Sequence, residues 1–162
     1  MSRKLISNTG PIIALAGISH LYLLRELYKR IIVPKAVDQE IRRCGQSGIG
    51  LQDYLAAGWI EVQDQGHIDP LLLTALDIGE ASVLVLSERE KSALLLIDER
   101  KARKIARVVY GREVIGTVRV LIEAKKSGFI QDIRKPLNNM RINGYWIHDN
   151  IVGYALQIAG ES

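Results

Sequence analysis

Four oxygen-bearing side chains stand where the surrounding pattern is apolar, and their chemistry is the first clue to function. In the helical stretch after Pro34 the apolar side is made by Ala36, Val37 and Ile41, and at about 100° per residue Glu40 projects between Ala36 and Val37. The run GEASVLVL from Gly79 is apolar nearly all round, which marks a buried helix, yet its first turn carries Glu80 on the side of Val83 and Leu84. Asp98 follows the apolar run ALLLI and opens the helical ERKARKIARVV, and Asn8 holds the matching place after the first strand, in LISNTGP. Each residue has a structural explanation of its own: an arginine partner for Glu40, the helix dipole for Glu80, a cap or turn for Asp98 and Asn8. Asp77, the competing acid, belongs to the turn before Glu80. Oxygens at strand ends and on inward helix faces nevertheless converge only at one edge of a sheet. Carboxylates gathered without His or Cys make a hard-oxygen site suited to Mg²⁺ or Mn²⁺, ions that hold phosphate oxygens and promote phosphodiester hydrolysis.

The elements that must position these residues alternate along the chain. Short β-prone runs at Lys4–Ser7, Ile31–Val33, Ile60–Val62, Ala93–Ile97 and Val114–Ile115 are interleaved with helical patterns at 11–17, 20–29, 35–43, 51–57, 70–76, 79–90, 99–110, 117–126, 130–141 and 148–159. That order predicts an α/β fold with a mostly parallel central sheet, and such sheets bind ligands beyond the carboxyl ends of their strands, where Asn8 and Asp98 fall. Pro11 and Pro34 are placed to open helices, and Asp69 to cap the helix that Pro70 begins. In the helix after Asp98, Arg100, Arg103, Lys104 and Arg107 share an arc of roughly 100°, with Ala102, Ile105, Ala106 and Val109 opposite. One face is basic and suited to phosphates, the other apolar.

Composition narrows the remaining classes. A chain of 162 residues fits one domain, and 48% hydrophobic with 25% charged residues excludes intrinsic disorder. The net charge of +4 is a mild bias toward polyanions, while 6% aromatic content leaves little for a base-stacking platform. The single Cys44 forms no internal disulfide, which suits a reducing cytoplasm. The apolar runs Pro11–Ile18 and Ala93–Ile97 fall far short of the ~20 residues of a membrane span, and no signal peptide is read, so the expected location is cytoplasmic with no membrane partner. The cluster CGQSGIG at 44–50 follows a helix and lacks a Gly-Lys-Ser/Thr ending, so it reads as a surface loop rather than a phosphate loop. His20, His67 and His148 are scattered as surface or cap residues, which argues against zinc. No Gly-x-Ser-x-Gly elbow supports a serine nucleophile. A phosphoryl-accepting signalling domain would need an acidic pair after the first strand and a lysine after the last, and neither stands there.

With these residues in place the sequence resembles the PIN-domain family, metal-dependent ribonucleases that include the VapC-type toxins of toxin-antitoxin pairs. ISNTGPIIAL at 6–15 is similar to the family's first strand and turn, and IIVPKAVDQEI at 31–41 to the second strand, proline and acid-bearing helix. GEASVLVL at 79–86 looks like the third-acid helix, LLLIDERKARKIA at 94–106 like the fourth strand with its acid, and VIGTVRVL at 114–121 like the next strand and Gly-Thr turn. The resemblance is to a prokaryotic branch whose C-terminal helical region is extended. It implies a three-layer α/β/α fold with a mostly parallel sheet plus C-terminal helices, divided as a PIN-like domain at 1–129 and a packed extension at 130–162. It also implies RNA as substrate, Mg²⁺ or Mn²⁺ held by Glu40, Glu80 and Asp98, a homodimer, and a small antitoxin partner. From the residues themselves, Thr9 and Thr117 are placed to orient metal-bound water, with capping of its own helix the alternative for Thr117, and Arg100, Arg103, Lys104 and Arg107 are placed to bind RNA, with a solvated helix face the alternative. The family's first aspartate is replaced by Asn8, as in some members of this branch. Asn offers a carbonyl oxygen without charge and cannot act as a base, so Asn8 is expected to be a neutral ligand or to orient water. The alternative function is a catalytically weakened PIN domain that binds RNA or protein.

Overall fold

The computed structural model describes residues 3–44 and 48–161, apart from the side chain of Cys44. In chain order the elements are β1 (Lys4–Ser7), α1 (Thr9–Ala16), α2 (Tyr22–Leu27), β2 (Arg30–Pro34), α3 (Lys35–Cys44), α4 (Leu51–Ala56) and β3 (Ile60–Gln63). There follow α5 (Pro70–Leu73), α6 (Ile78–Ser87), β4 (Leu94–Leu96), α7 (Arg100–Val108), β5 (Val114–Ile115), α8 (Thr117–Lys126), α9 (Arg134–Ile142) and α10 (Asp149–Ile158). The strands form one sheet in the order β3-β2-β1-β4-β5, parallel throughout, in a three-layer α/β/α arrangement.

This order has a physical consequence. From β1 the chain builds outward through β2 to β3, then returns to lay β4 on the other side of β1. The reversal falls between β1 and β4, whose register pairs Ile6 with Leu95 and Ser7 with Leu96. At such a switch point the connections leave in opposite directions and open a crevice beyond the strand ends. Asn8 closes β1 there, its N–H donating to the Leu96 carbonyl at 3.0 Å.

Strands covered on both faces need apolar residues through their centres, and β1, β2 and β4 have them: Leu5, Ile6, Ile31, Ile32, Val33, Leu95 and Leu96 are all 2% exposed or less. Each such side chain contributes roughly 1.5–3 kcal/mol of burial. The edge strand β3 is only partly covered, with Val62 exposed. Helices α3 and α6 pack together and α6 lies on β1 and β2; α2 and α10 pack on α8. The side chains of Ile133, Leu137, Met140, Ile147, Ala155 and Leu156 from α9, α10 and their connection join the same hydrophobic cluster as the sheet.

Local expectations are refined at several helix ends. Asp69 caps α5 as expected, accepting from the Leu71 N–H at 2.9 Å. Pro11 is the third residue of α1 rather than the first, because the helix begins at Thr9, and Pro34 ends β2 immediately before α3. His148 is a cap, accepting from the Asn150 N–H. Val109, placed by periodicity on the apolar side of α7, lies beyond the helix end and is 70% exposed. In the glycine cluster at 44–50, residues 45–47 lie outside the described residues.

Candidate functional site

At the carboxyl end of β1, Asn8 occupies the N-cap position of α1 with extended backbone, yet its side chain makes no capping hydrogen bond. Its oxygen turns instead toward the first turn of α6. A Cβ placed on Gly79 would lie 2.8 Å from Asn8 Oδ1, 3.0 Å from Glu40 Oε1 and 3.5 Å from Asp77 Oδ1. Only glycine lets these oxygens from β1, α3 and the α6 cap close on one spot. Glu40 reaches it because Ala36, Val37 and Ile41 are buried and set the inward face of α3. The arginine partner considered for Glu40 is not what holds it; the Thr9 hydroxyl donates to its Oε1 at 2.6 Å. The neighbouring acid Asp38 is the one that pairs with Arg42, and it also accepts from the Tyr54 hydroxyl.

Glu80, 7% exposed, completes a capping box: the Glu80 N–H donates to Asp77 Oδ1 at 2.8 Å and the Asp77 N–H to Glu80 Oε1 at 3.1 Å. Burial pushes the Glu80 carboxyl above its ordinary range; the Asp77 backbone opposes this, and the charges of Asp77, Glu99 and Glu40 add to it.

Asp98, at the carboxyl end of β4, does not cap its own helix. Glu99 takes that role, accepting from the Lys101 N–H. Asp98 reaches across to α8, whose N-cap is Gly116 and so has no side chain to offer. The Thr117 N–H donates to Asp98 Oδ1 at 2.7 Å and the Thr117 hydroxyl to Oδ2 at 2.6 Å. The Tyr145 hydroxyl also donates to Oδ2. A Cβ on Gly116 would lie 2.6 Å from Arg103 Nη1 and 2.8 Å from Asp98 Oδ1, so this corner also requires glycine. Burial raises the Asp98 pKa, against the Thr117 hydrogen bonds and the Arg103 charge.

Arg103 departs from the expected basic face. It is half-buried, its Nη1 donates to the Ile97 carbonyl at 3.3 Å, and burial beside Arg107 lowers its pKa while Asp98 opposes. It belongs to the Asp98 corner. Arg100, Lys104 and Arg107 are exposed, while Ala102 and Ala106 are fully buried, so the two-sided character of α7 stands with three cations rather than four. Thr9 and Thr117 each commit the hydroxyl proton to a carboxylate, which leaves only oxygen lone pairs for water.

The structure therefore places Asn8 and Glu40 together at Gly79, Glu80 one residue further along α6, and Asp98 at the adjacent strand end. Tyr145 carries no signal in the sequence, because its partner lies 47 residues away. Glu99, whose charge acts on Glu80, was hidden beside Asp98. As donors these groups suit a hard cation, being oxygen throughout, and Gly79 leaves room for two of them. They are not drawn around one point: among the described residues no group of three or more His, Cys, Asp or Glu is arranged to hold a metal ion. Also among the described residues, no helix is long and apolar enough to cross a membrane.

Oxygen donors at the switch point of a parallel sheet, with a cationic helix starting beside them, define an α/β domain whose ligand site lies beyond the carboxyl ends of its strands. The chain belongs to the PIN-domain family: the family model DUF3368, a PIN domain, matches residues 4–161. No curated protein and no solved structure matches it. PIN domains are generally nucleases and typically use divalent metals.

Proposed function

We propose that this chain is a metal-dependent endoribonuclease that hydrolyses RNA phosphodiester bonds. The observation that carries the reading is the meeting of Asn8 and Glu40 at Gly79, next to the strand end that bears Asp98. Glu40, Glu80 and Asp98, with the Asn8 carbonyl as a neutral fourth donor, would hold Mg²⁺ or Mn²⁺. Such an ion activates water and neutralises charge developing on the phosphate. The chain's own residues do the rest. Thr9 fixes Glu40 Oε1 and Thr117 fixes both oxygens of Asp98, so two carboxylates are oriented before substrate arrives. Arg100, Lys104 and Arg107 offer a track for the RNA backbone beginning at that edge. The same reading takes a cytoplasmic toxin, a homodimer and a small antitoxin as the setting, on the family resemblance.

A second reading, a weakened PIN domain that binds RNA or protein without cutting it, is favoured by Asn8 in place of an acid and by the lack of a three-acid metal cluster among the described residues. One experiment separates the two: purified protein incubated with labelled single-stranded RNA in Mn²⁺, with the Asp98→Asn variant prepared in parallel. Cleavage that is stopped by EDTA and lost in Asp98→Asn is the expected result. RNA binding without cleavage in both proteins would favour the second reading.

A further inference from the structure

We propose that the connection between α9 and α10 is a strap across the site, and that the Tyr145 hydroxyl competes with a divalent cation for Asp98. The inference rests on the reading of Asp98 as a metal ligand and adds to it a means of control.

An ionised carboxylate offers about four lone-pair sites. Three on Asp98 are taken by donors of the chain itself: Thr117 N–H on Oδ1, and the Thr117 and Tyr145 hydroxyls on Oδ2. One site on Oδ1 remains, and that oxygen is 2.8 Å from where a Cβ on Gly116 would sit, with Arg103 Nη1 2.6 Å from the same point. A cation drawn to Oδ2 therefore competes with a donor of the chain. The two Thr117 bonds start α8 and come from the strand next door, so they are part of the fold. The Tyr145 bond comes from a loop whose remaining attachments are few.

That loop turns at Gly144, where φ is +91°, and the Gly144 and Tyr145 N–H groups donate back to Arg141 and Met140 carbonyls at 2.9 Å each. Exposed Asn143 donates from Nδ2 to the Gly17 carbonyl at 3.0 Å, pinning the loop to the far end of α1. The Tyr145 ring edge lies within 3.9 Å of where a Cβ on Gly10 would sit, against the first turn of α1. Met140 and Ile147 are buried on either side, so residues 141–146 can lift while their flanks stay in the core. Apart from the tyrosine ring, two side-chain hydrogen bonds tie the strap to the site and to α1, Tyr145 to Asp98 and Asn143 to Gly17, while Arg141 ties its start to the Ile147 carbonyl and to Asp149 of α10.

Calorimetric Mn²⁺ titration of the full chain tests this, comparing the wild type with Tyr145→Phe, Asn143→Ala and Asp98→Asn, each checked for folding by thermal melting. Tyr145→Phe keeps the ring and removes only the competing hydroxyl, so Mn²⁺ should bind about tenfold more tightly, the worth of one hydrogen bond to a charged group. Asn143→Ala, at the surface, should shift affinity the same way by less, and it carries the test if the phenylalanine variant folds poorly. Unchanged or weaker binding in both variants, with Asp98→Asn still weakening it, overturns the strap and leaves Asp98 as a ligand. Equal binding by Asp98→Asn and the wild type overturns the ligand reading and the strap together.

Discussion

Glu80 shows most clearly what folding alone does not require. Its place in the capping box needs an acceptor at Oε1, and glutamine supplies one as well as glutamate does. The charge is disfavoured first by burial and then by Asp77, Glu99 and Glu40. A residue that keeps a charge against its surroundings is where function is expected to oppose stability. Glu80→Gln should therefore stabilise the protein at pH 7, by about 0.5–2 kcal/mol in urea unfolding. The sign follows from linkage. Because the folded-state pKa is raised, the folded state favours the protonated acid, and wild-type stability is lost as pH rises through the folded value. Below the unfolded value of about 4.3 the acid is neutral in both states, and variant and wild type should converge. A glutamine variant less stable than wild type at pH 7 would show that the charge has a structural partner.

At the scale of elements, helix ends explain both what the sequence reveals and what it conceals. Central strands covered on both faces need continuous apolar residues, which is why runs such as ALLLI betray β4, and helical periodicity betrays α3 and α7. The Asp77-x-x-Glu80 box is also local, a capping pattern readable in four residues. The four polar site residues are legible because each interrupts or ends an apolar pattern. Their partners are not. Asp98 serves α8 rather than its own helix, and alternation of strands and helices does not state that β4 returns beside β1. The start of α9 is satisfied from the far end of the chain in the same way: Glu161 Oε2 accepts from the Ile133 N–H and Lys125 Nζ at 2.8 Å each, and Oε1 from the Arg134 N–H at 3.2 Å. Burial works to raise the Glu161 pKa, but these donors together hold it below its ordinary value. Its stabilisation is present above the unfolded pKa and lost as pH falls through the folded one. Glu161→Gln should cost about 1.5–3 kcal/mol at pH 7, the value of a hydrogen bond to a charged group, with the deficit shrinking in melts taken at pH 3.

For the whole molecule, the question is where a net charge of +4 is felt. Several basic side chains elsewhere are neutralised locally: Arg3 by Glu113, Lys4 by Glu90, Arg30 by Glu61, Arg42 by Asp38, Lys125 by Glu161 and Arg141 by Asp149. Among the described residues no such pair involves Arg100, Lys104 or Arg107. These three exposed cations project from one helix that begins two residues after Asp98, so a local group of unpaired positive charge lies beside the acidic edge. A polyanion bound at that edge would meet this helix, and its affinity would carry the signature of counterion release. Changing the three to alanine, with Arg103 left in place to keep the Asp98 corner intact, should lower the salt slope of single-stranded RNA binding by about two, at roughly 0.7 per phosphate contact. Binding measured in EDTA, by fluorescence anisotropy across a range of salt concentrations, keeps cleavage from interfering. The fold should persist, since the apolar side of α7 rests on Ala102 and Ala106, which the changes leave alone. If the slope were unchanged, α7 would be an ordinary solvated face, and the RNA path would have to be sought elsewhere around the switch point.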